Sequence, residues 1–462
     1  MMQAMNILIQ PIAYSCPLTV LSSFQKEKGT IFLGSGLQHP DFGRYSYVAM
    51  DPFDFYSLKD SPKENISAKL KSWLTTYAQP LIPDLPPFQG GIAGAFAYEF
   101  YRYIEDVNIH TVDDMGVPDM AVGLYDVVVS FDHLQKKAWI ISTGFPETEP
   151  KAREARARER LDYFMNRLCE GASHEVPVIN AHITSNFTQP EYEAAVQTVI
   201  DYILAGDIFE ANLSQRFQAK LPEDFSAFDC FAQLYRTNPA PFAAYMNLGD
   251  TQILSISPER FVRLSQGQVE TRPIKGTCRR GTTPEEDIAL AEALKQSEKD
   301  NAENIMIVDL LRNDLSKVCE DHSVEVTQLC GVETYANVHH LVSVIKGKLS
   351  FNKDAIDLLW ALFPGGSITG APKIRAMQII AQMEKINRGI YCGSIGYIGF
   401  NGEMDTSIAI RTATVKNGRM YFQAGGAIVS DSDPRSEYEE TLTKSSGFRK
   451  LFAAEKSHDF ID

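Results

Sequence analysis

The sequence predicts an α+β fold, and three observations carry that expectation. Residues 1 to about 145 are dense in short β-type runs bounded by turn residues. From Pro146 the sequence reads as a charged helix, and helical signals then recur towards the end of the chain. Between the later helices, the apolar run Ile253-Leu254-Ser255-Ile256 reads as a strand and 261–272 as its hairpin return.

In the first part, Tyr45-Ser46-Tyr47-Val48-Ala49-Met50, Val127-Val128-Val129-Ser130-Phe131 and Trp139-Ile140-Ile141-Ser142 are the strand candidates. The Gly-rich apolar stretch 86–96 suits close backbone packing inside a sheet layer. It lacks the G-x-G-x-x-G pattern of a dinucleotide site. From Pro146 to about Cys169, Glu alternates with Arg, which reads as a solvated helix rather than a basic binding patch. Residues 172–187 carry no period and mark a boundary. The expected division is an N-terminal domain over 1–150, a charged helix and linker over 151–187, and a second domain over 188–455.

The second domain opens on Thr188-Gln189-Pro190-Glu191, a capping box with proline in the first turn. Val196, Val199, Ile200 and Ile203 then recur at helical spacing up to Gly206. Pro284-Glu285-Glu286 opens a second helix, 302–311 lie in a third, 374–386 in a fourth, and a last begins near Asp433-Pro434. Residues 342–345 and 395–400 are strand-like.

With 462 residues, 44% apolar and 22% charged, the chain has the composition of an ordinary globular protein with ample core. A net charge of −15 argues against nucleic acid or an anionic membrane as the main partner. The first basic residue is Lys26 and the opening apolar runs are cut by Gln10, Pro11 and Pro17, so no signal peptide is expected. The seven cysteines are scattered without a Cys-x-x-Cys, which suits reduced thiols in a cytoplasm.

Two patterns invite chemistry. Lys275 lies between Pro273 and Gly276, one stiff and one permissive. Arg272, Arg279 and Arg280 lie close in sequence, and with burial they would lower its pKa and free a nucleophilic amine. Across the expected hairpin, Glu259 could meet it, an acid facing an amine; spacing alone favours the plainer reading of an exposed lysine and a surface glutamate. Glu303 stands beside an apolar stripe, where a carboxylate needs a partner, a hydrogen bond or a metal. Glu437, Glu440 and Lys444 share one helix face, and Glu440 with Lys444 also makes an ordinary surface pair. The stretch 364–373 resembles a phosphate loop, but Ala371-Pro372 stand where Lys and Ser/Thr are required; a helix N-terminus suited to an anion remains.

Taken in order, these stretches resemble the chorismate-utilising family, the anthranilate synthase component I-like enzymes. The resemblance runs through Gly206-Asp207-Ile208-Phe209-Glu210-Ala211-Asn212-Leu213-Ser214, Ser257-Pro258-Glu259-Arg260-Phe261 and Arg272-Pro273-Ile274-Lys275-Gly276-Thr277. It continues through Ala302-Glu303-Asn304, His339-His340-Leu341, the 364–373 stretch, Ile410-Arg411-Thr412, Ala424-Gly425-Gly426 and Glu437-Tyr438-Glu439-Glu440-Thr441. It implies large antiparallel β-sheets in a sandwich with helices outside, two intimately packed subdomains, chorismate as substrate and Mg²⁺ as cofactor. It implies Glu303 and Glu440 as metal ligands with Glu437 beside them. Arg411, Tyr391, Lys444 and the Gly425 and Gly426 amides would hold the substrate's carboxylates, and His340 and Thr369 would line the ring. Lysine at 275, where anthranilate synthases carry alanine, points to the branch that aminates C4 through a covalent lysine adduct, with Glu259 as acid and then base. That branch feeds 4-aminobenzoate and folate synthesis. Isochorismate and salicylate synthases carry a lysine where Glu210 stands, and ammonia-using relatives often carry glutamine, so Glu210 departs from both. No cysteine lies in a Gly-x-Cys-x-Gly elbow, so ammonia is expected from a separate glutamine amidotransferase subunit; no extension suggests a fused lyase. Some members hold tryptophan in the N-terminal domain, and Leu33-Gly34-Ser35-Gly36 is the segment to compare.

Overall fold

The computed structural model describes residues 7–37, 42–61, 65–107, 109–168, 179–335 and 338–452. Cys169, and residues 172–178 of the boundary expected over 172–187, lie outside the described residues. Two antiparallel sheets face each other across a shared core, with helices on their outer surfaces. The first sheet has twelve strands in the order Leu8–Ile12, Lys137–Ser142, Val127–Asp132, Tyr45–Ala49, Ile31–Gly34, Phe242–Asn247, Thr251–Ser257, Thr412–Lys416, Arg419–Ile428, Glu210–Lys220 and Gly370–Ala371, with Ile183–Ser185 also on Glu210–Lys220. The second has ten, ordered Ile274–Arg279, Val338–Lys348, Gln268–Thr271, Arg260–Ser265, Met404–Ile408, Ser394–Gly399, Gly91–Phe96, Met120–Tyr125 and Asp54–Leu58, with Glu325–Thr334 also on Val338–Lys348. Each sheet takes strands from both ends of the chain.

The pattern of the sequence explains why. Gly91–Phe96 is buried along its whole length and lies between two neighbours in the second sheet. A Cβ on Gly94 would stand 2.1 Å from the Ala121 carbonyl oxygen, so only glycine admits that strand spacing. A third cluster of apolar side chains, including Ile31, Tyr47, Phe88, Val128, Ile253 and Ile395, fills the space between the two sheets. The charged helix is Pro150–Arg167, which buries only Ala157 and Phe164 of its own residues. Thr188 and Glu191 form the expected box at the start of Gln189–Leu204, the Thr188 amide donating to Glu191 Oε2 at 2.8 Å.

The hairpin reading of 253–272 is corrected. Thr251–Ser257 belongs to the first sheet, and Arg260–Ser265 pairs with Gln268–Thr271 in the second. Ser257 to Arg260 is thus the crossing between sheets, not the start of a return strand. Its ends are fixed by polar contacts: Ser257 Oγ donates to the Ile408 carbonyl at 2.6 Å, and Arg260 binds Asp405 at 3.0 Å and Glu270 at 2.8 Å while almost wholly buried. The apolar run marked the strand but not its partner, since period alone says nothing about which sheet a strand joins.

Candidate active site

Lys275 and Glu259 meet through a cavity rather than across a strand pair. Val338–Lys348 lies between Ile274–Arg279 and Gln268–Thr271, so Lys275 enters from the end strand of the second sheet and Glu259 from the crossing between the sheets. The cavity is about 610 Å³, and its lining includes Glu259, Lys275, Glu303, Arg411, Glu437 and Glu440. Tyr391, His340, Gly425 and Lys444 line it as well.

Lys275 is aimed by an irregularity in its strand. The register against Val338–Lys348 shifts between Ile274 and Thr277, and Gly276 there has φ +77°. Bulges of this kind re-aim a side chain. A Cβ on Gly276 would stand 2.8 Å from Asp300 Cγ, so glycine also lets the helix Glu298–Ser316 close on the strand. Lys275 is 8% exposed; its Nζ donates to Glu210 Oε1 at 2.6 Å and lies 4.0 Å from Glu303 Oε2.

This arrangement overturns the expected charge state. Burial acts to lower the Lys275 pKa, but Glu210, Glu303 and Glu259 outweigh it and the net shift is upward. The three arginines named in the sequence are spent elsewhere: Arg272 on Glu333, Arg279 on Glu286 and Arg280 on Asp287. Arg279 stands four residues along the strand from Lys275, about 13 Å away, and Arg272 and Arg280 lie beyond the strand's ends, so sequence neighbours failed to become spatial ones. At rest, the lysine is an ammonium.

Glu210 is fully buried. Its Oε1 takes both Lys275 and the Asn212 amide, at 2.6 and 3.1 Å, and its Oε2 has no hydrogen-bond partner among the described residues. Glu259 accepts from Ser367 Oγ at 2.7 Å, and burial pushes its carboxyl up to about 7 against the opposing pull of Ser367 and Lys275. Burial likewise takes Glu303 to about 7. Glu437 is raised by burial although Ser432 Oγ donates to its Oε1 at 2.7 Å. Glu440 goes the other way: burial is overridden by its ion pair with Lys444, which also donates to the Gly425 carbonyl at 3.0 Å.

Arg411 stands at φ +51°, and its guanidinium makes no hydrogen bond or ion pair among the described residues. His340 is buried and pushed down to about 4, so its imidazole is neutral near pH 7; its Nδ1 shares a proton with Thr277 Oγ1 at 2.7 Å. Tyr391 is buried and its phenol is raised well above the usual range by burial. Thr369 lies behind the lining, fully buried, with its hydroxyl donating to the Gly365 carbonyl at 2.9 Å. At the start of the helix Lys373–Glu384 the Lys373 side chain turns to Asp314 at 2.7 Å and to the Leu362 carbonyl.

Two residues of the site were missed from sequence: Ser367, which tethers Glu259, and Lys299, whose Nζ is 3.5 Å from Glu437 Oε1. Ser367 sits within the 364–373 stretch, a polar residue in a matched motif, whereas Lys299 precedes Ala302-Glu303-Asn304 and no matched motif contains it. A second cavity of about 280 Å³ lies between the sheets, lined by Leu33, Gly34, Tyr45, Pro241 and Arg263 among others.

A sandwich of two antiparallel sheets with a polar cavity at one end defines the class, and the comparisons agree with it. Residues 40–450 match the chorismate binding enzyme family, and the chain belongs to that family. It is 43% identical over 388 residues to aminodeoxychorismate synthase component 1 of Salmonella typhimurium, covering 83% of this chain and 81% of that one. It is also 40% identical over 408 residues to anthranilate synthase component 1 of Pseudomonas aeruginosa, covering 84% and 80%. Among solved structures, anthranilate synthase component I from Streptococcus pneumoniae superposes with a TM-score of 0.77 at 33% identity, covering 89% of this chain and 93% of that one. No helix among the described residues is long and apolar enough to cross a membrane.

Proposed function

We propose that the protein is the chorismate-aminating component of an aminodeoxychorismate synthase, joining ammonia to chorismate to give 4-amino-4-deoxychorismate for 4-aminobenzoate and folate synthesis. Overall identity does not separate this from anthranilate formation, because relatives of both names match at similar levels. The observation that carries the choice is Lys275, a buried amine in the same cavity as Glu259 and 2.6 Å from a proton acceptor.

The residues divide the work as follows. Arg411, with its unengaged fork, suits a substrate carboxylate, and Lys444 and Tyr391 stand in the same lining. The Lys275 ammonium passes a proton to Glu210 Oε1, and the freed amine adds to C2 of the ring. The ring double bonds shift and the C4 hydroxyl leaves as water, taking the proton that Glu259 carries below about pH 7. Ammonia adds at C4, the double bonds return, and the C2–N bond breaks with its electrons going to the lysine nitrogen. Glu259 takes the extra proton from the new amine, and Lys275 recovers its own from Glu210. The net change is chorismate plus ammonia to the aminated product plus water.

The donor set fits Mg²⁺, which takes one or two protein carboxylates with waters and substrate oxygens. A Cβ at Gly426 would stand 3.0 Å from Glu437 Oε2 and 3.4 Å from Glu440 Oε1, so two carboxylates meet over a cradle that a side chain would fill. Glu303 faces the same cavity. Among the described residues no group of three His, Cys, Asp or Glu side chains is arranged to hold a metal ion. When bound, Mg²⁺ supplies electrostatic stabilisation of the charge that develops on the substrate.

Ammonia would come from glutamine through a separate amidotransferase subunit, and the setting is a cytoplasm, where the six described cysteines stay free thiols. The cavity between the sheets is where a tryptophan would sit, at Leu33 and Gly34. The test is incubation with chorismate, Mg²⁺ and an ammonium salt, with products resolved by mass spectrometry. A C4-aminated chorismate is expected; direct release of fluorescent anthranilate overturns the assignment.

A further inference from the structure

We propose that Lys299 is a resident counter-cation of the carboxylate cluster, one that an incoming divalent cation has to displace. The inference rests on the reading that Glu303 and Glu437 help hold the metal. Lys299 stands in the first turn of the helix Glu298–Ser316, and Glu303 follows one turn later on the same face. Both line the cavity. The Lys299 ammonium is 3.5 Å from Glu437 Oε1, which projects from a different helix, Pro434–Arg449. Its positive charge acts on Glu303, Glu437 and Glu440 together, favouring their ionised forms against burial. One lysine therefore bridges, electrostatically, the carboxylates that come from two separate elements.

Three lysines neutralise this cluster, and they are not equivalent. Lys275 is enclosed and held by Glu210. Lys444 is tied both to Glu440 and to the Gly425 carbonyl. Lys299 has no partner besides Glu437 among the described residues, and its side chain is 42% exposed. A hydrated point charge on a four-carbon stem can swing into water at little expense. Asp431 lies within reach of its field on the outer side. The lysine thus keeps the acidic groups from repelling one another in the empty protein, and it competes with the metal for Glu437.

The test uses Mn²⁺ as the probe, with the full-length protein and no substrate, reading free Mn²⁺ by electron paramagnetic resonance. Lys299→Met is expected to tighten Mn²⁺ binding about tenfold, the effect of one unit charge on a dication a few ångströms away in a watery cleft. Lys299→Arg, which keeps the charge, is expected to bind within about twofold of the unaltered protein. A Lys299→Met affinity equal to or weaker than that of the unaltered protein overturns the inference. Glu303→Gln and Glu437→Gln separate the two layers of the argument. If both lose Mn²⁺ while Lys299→Met changes nothing, the metal reading stands and the lysine's role falls. If both still bind Mn²⁺ as the unaltered protein does, the carboxylates are not ligands and the inference falls with them.

Discussion

Replacing Lys275 should separate its chemistry from its electrostatics. In Lys275→Ala the Glu210 carboxylate, with no exposure to solvent, loses the 2.6 Å partner on Oε1 while its Oε2 already lacks one. Removing one member of a buried ion pair destabilises by about 3–5 kcal/mol, chiefly by stranding the other charge. Glu210→Gln in the same chain removes that charge and keeps an acceptor for the Asn212 amide, 3.1 Å away. The double variant should therefore regain at least about 2 kcal/mol of the loss, leaving the smaller deficit of an imperfectly paired neutral group. Urea unfolding followed by intrinsic fluorescence gives the stabilities, and chorismate turnover with ammonia gives the activity. Stability should recover in the double variant and C4 amination should not. A double variant as unstable as Lys275→Ala would refute the ion-pair account, and C4 amination persisting in either variant would refute the nucleophile.

Two further outcomes follow from the same geometry. Glu259 holds a proton up to about pH 7, whereas an unfolded glutamate loses it near pH 4.3, so folding stability should fall as pH rises through that window and be fully reduced above 7. Glu259→Gln should remove about one proton from that slope in pH-dependent urea titrations, lower amination by about 10²–10⁴-fold and abolish the decline in rate above pH 7. The paired glycines should behave differently. A Cβ on Gly425 would stand 2.2 Å from the Leu213 carbonyl oxygen, so Gly425→Ala must push two strands apart and lower the thermal midpoint. Gly426→Ala meets only the movable carboxylates of Glu437 and Glu440, so it should keep its thermal midpoint while Mn²⁺ affinity falls.

What the sequence disclosed depended on how local the determinant was. Helix starts were legible because a cap is written in four residues: Thr188 with Glu191, Thr283 before Pro284, and Asp433, whose side chain accepts from the Ser436 amide. Period-2 runs located strands such as Tyr45–Ala49 and Ser394–Gly399 but said nothing of their partners. Sheet order is a long-range property: Gly91–Phe96 pairs with Ser394–Gly399, some 300 residues on, through contacts that leave no mark on either segment alone. The candidate site residues came from a family resemblance. Their burial was not visible from spacing; Glu437, on a helix face that could have been solvated, is 4% exposed.

The electrostatics of Lys275 were the hardest part to read from sequence, and they change what the mechanism must explain. An amine lowered by nearby arginines would be a nucleophile at rest. The folded protein instead surrounds it with Glu210, Glu303 and Glu259, so it waits as an ammonium. Glutamate rather than glutamine at 210 strengthens that hold, and it also supplies a base in contact with the nitrogen that has to be deprotonated. Under the proposed mechanism the same carboxylate would both restrain and release the lysine. Which effect dominates depends on whether the substrate's own carboxylates, on entering the cavity, find Arg411 and Lys444 first. Under the proposed mechanism, the Arg411 guanidinium, left unengaged among the described residues and facing a cavity otherwise crowded with acids, would steer them there and keep the ammonium of Lys275 from capturing a substrate carboxylate instead of attacking the ring.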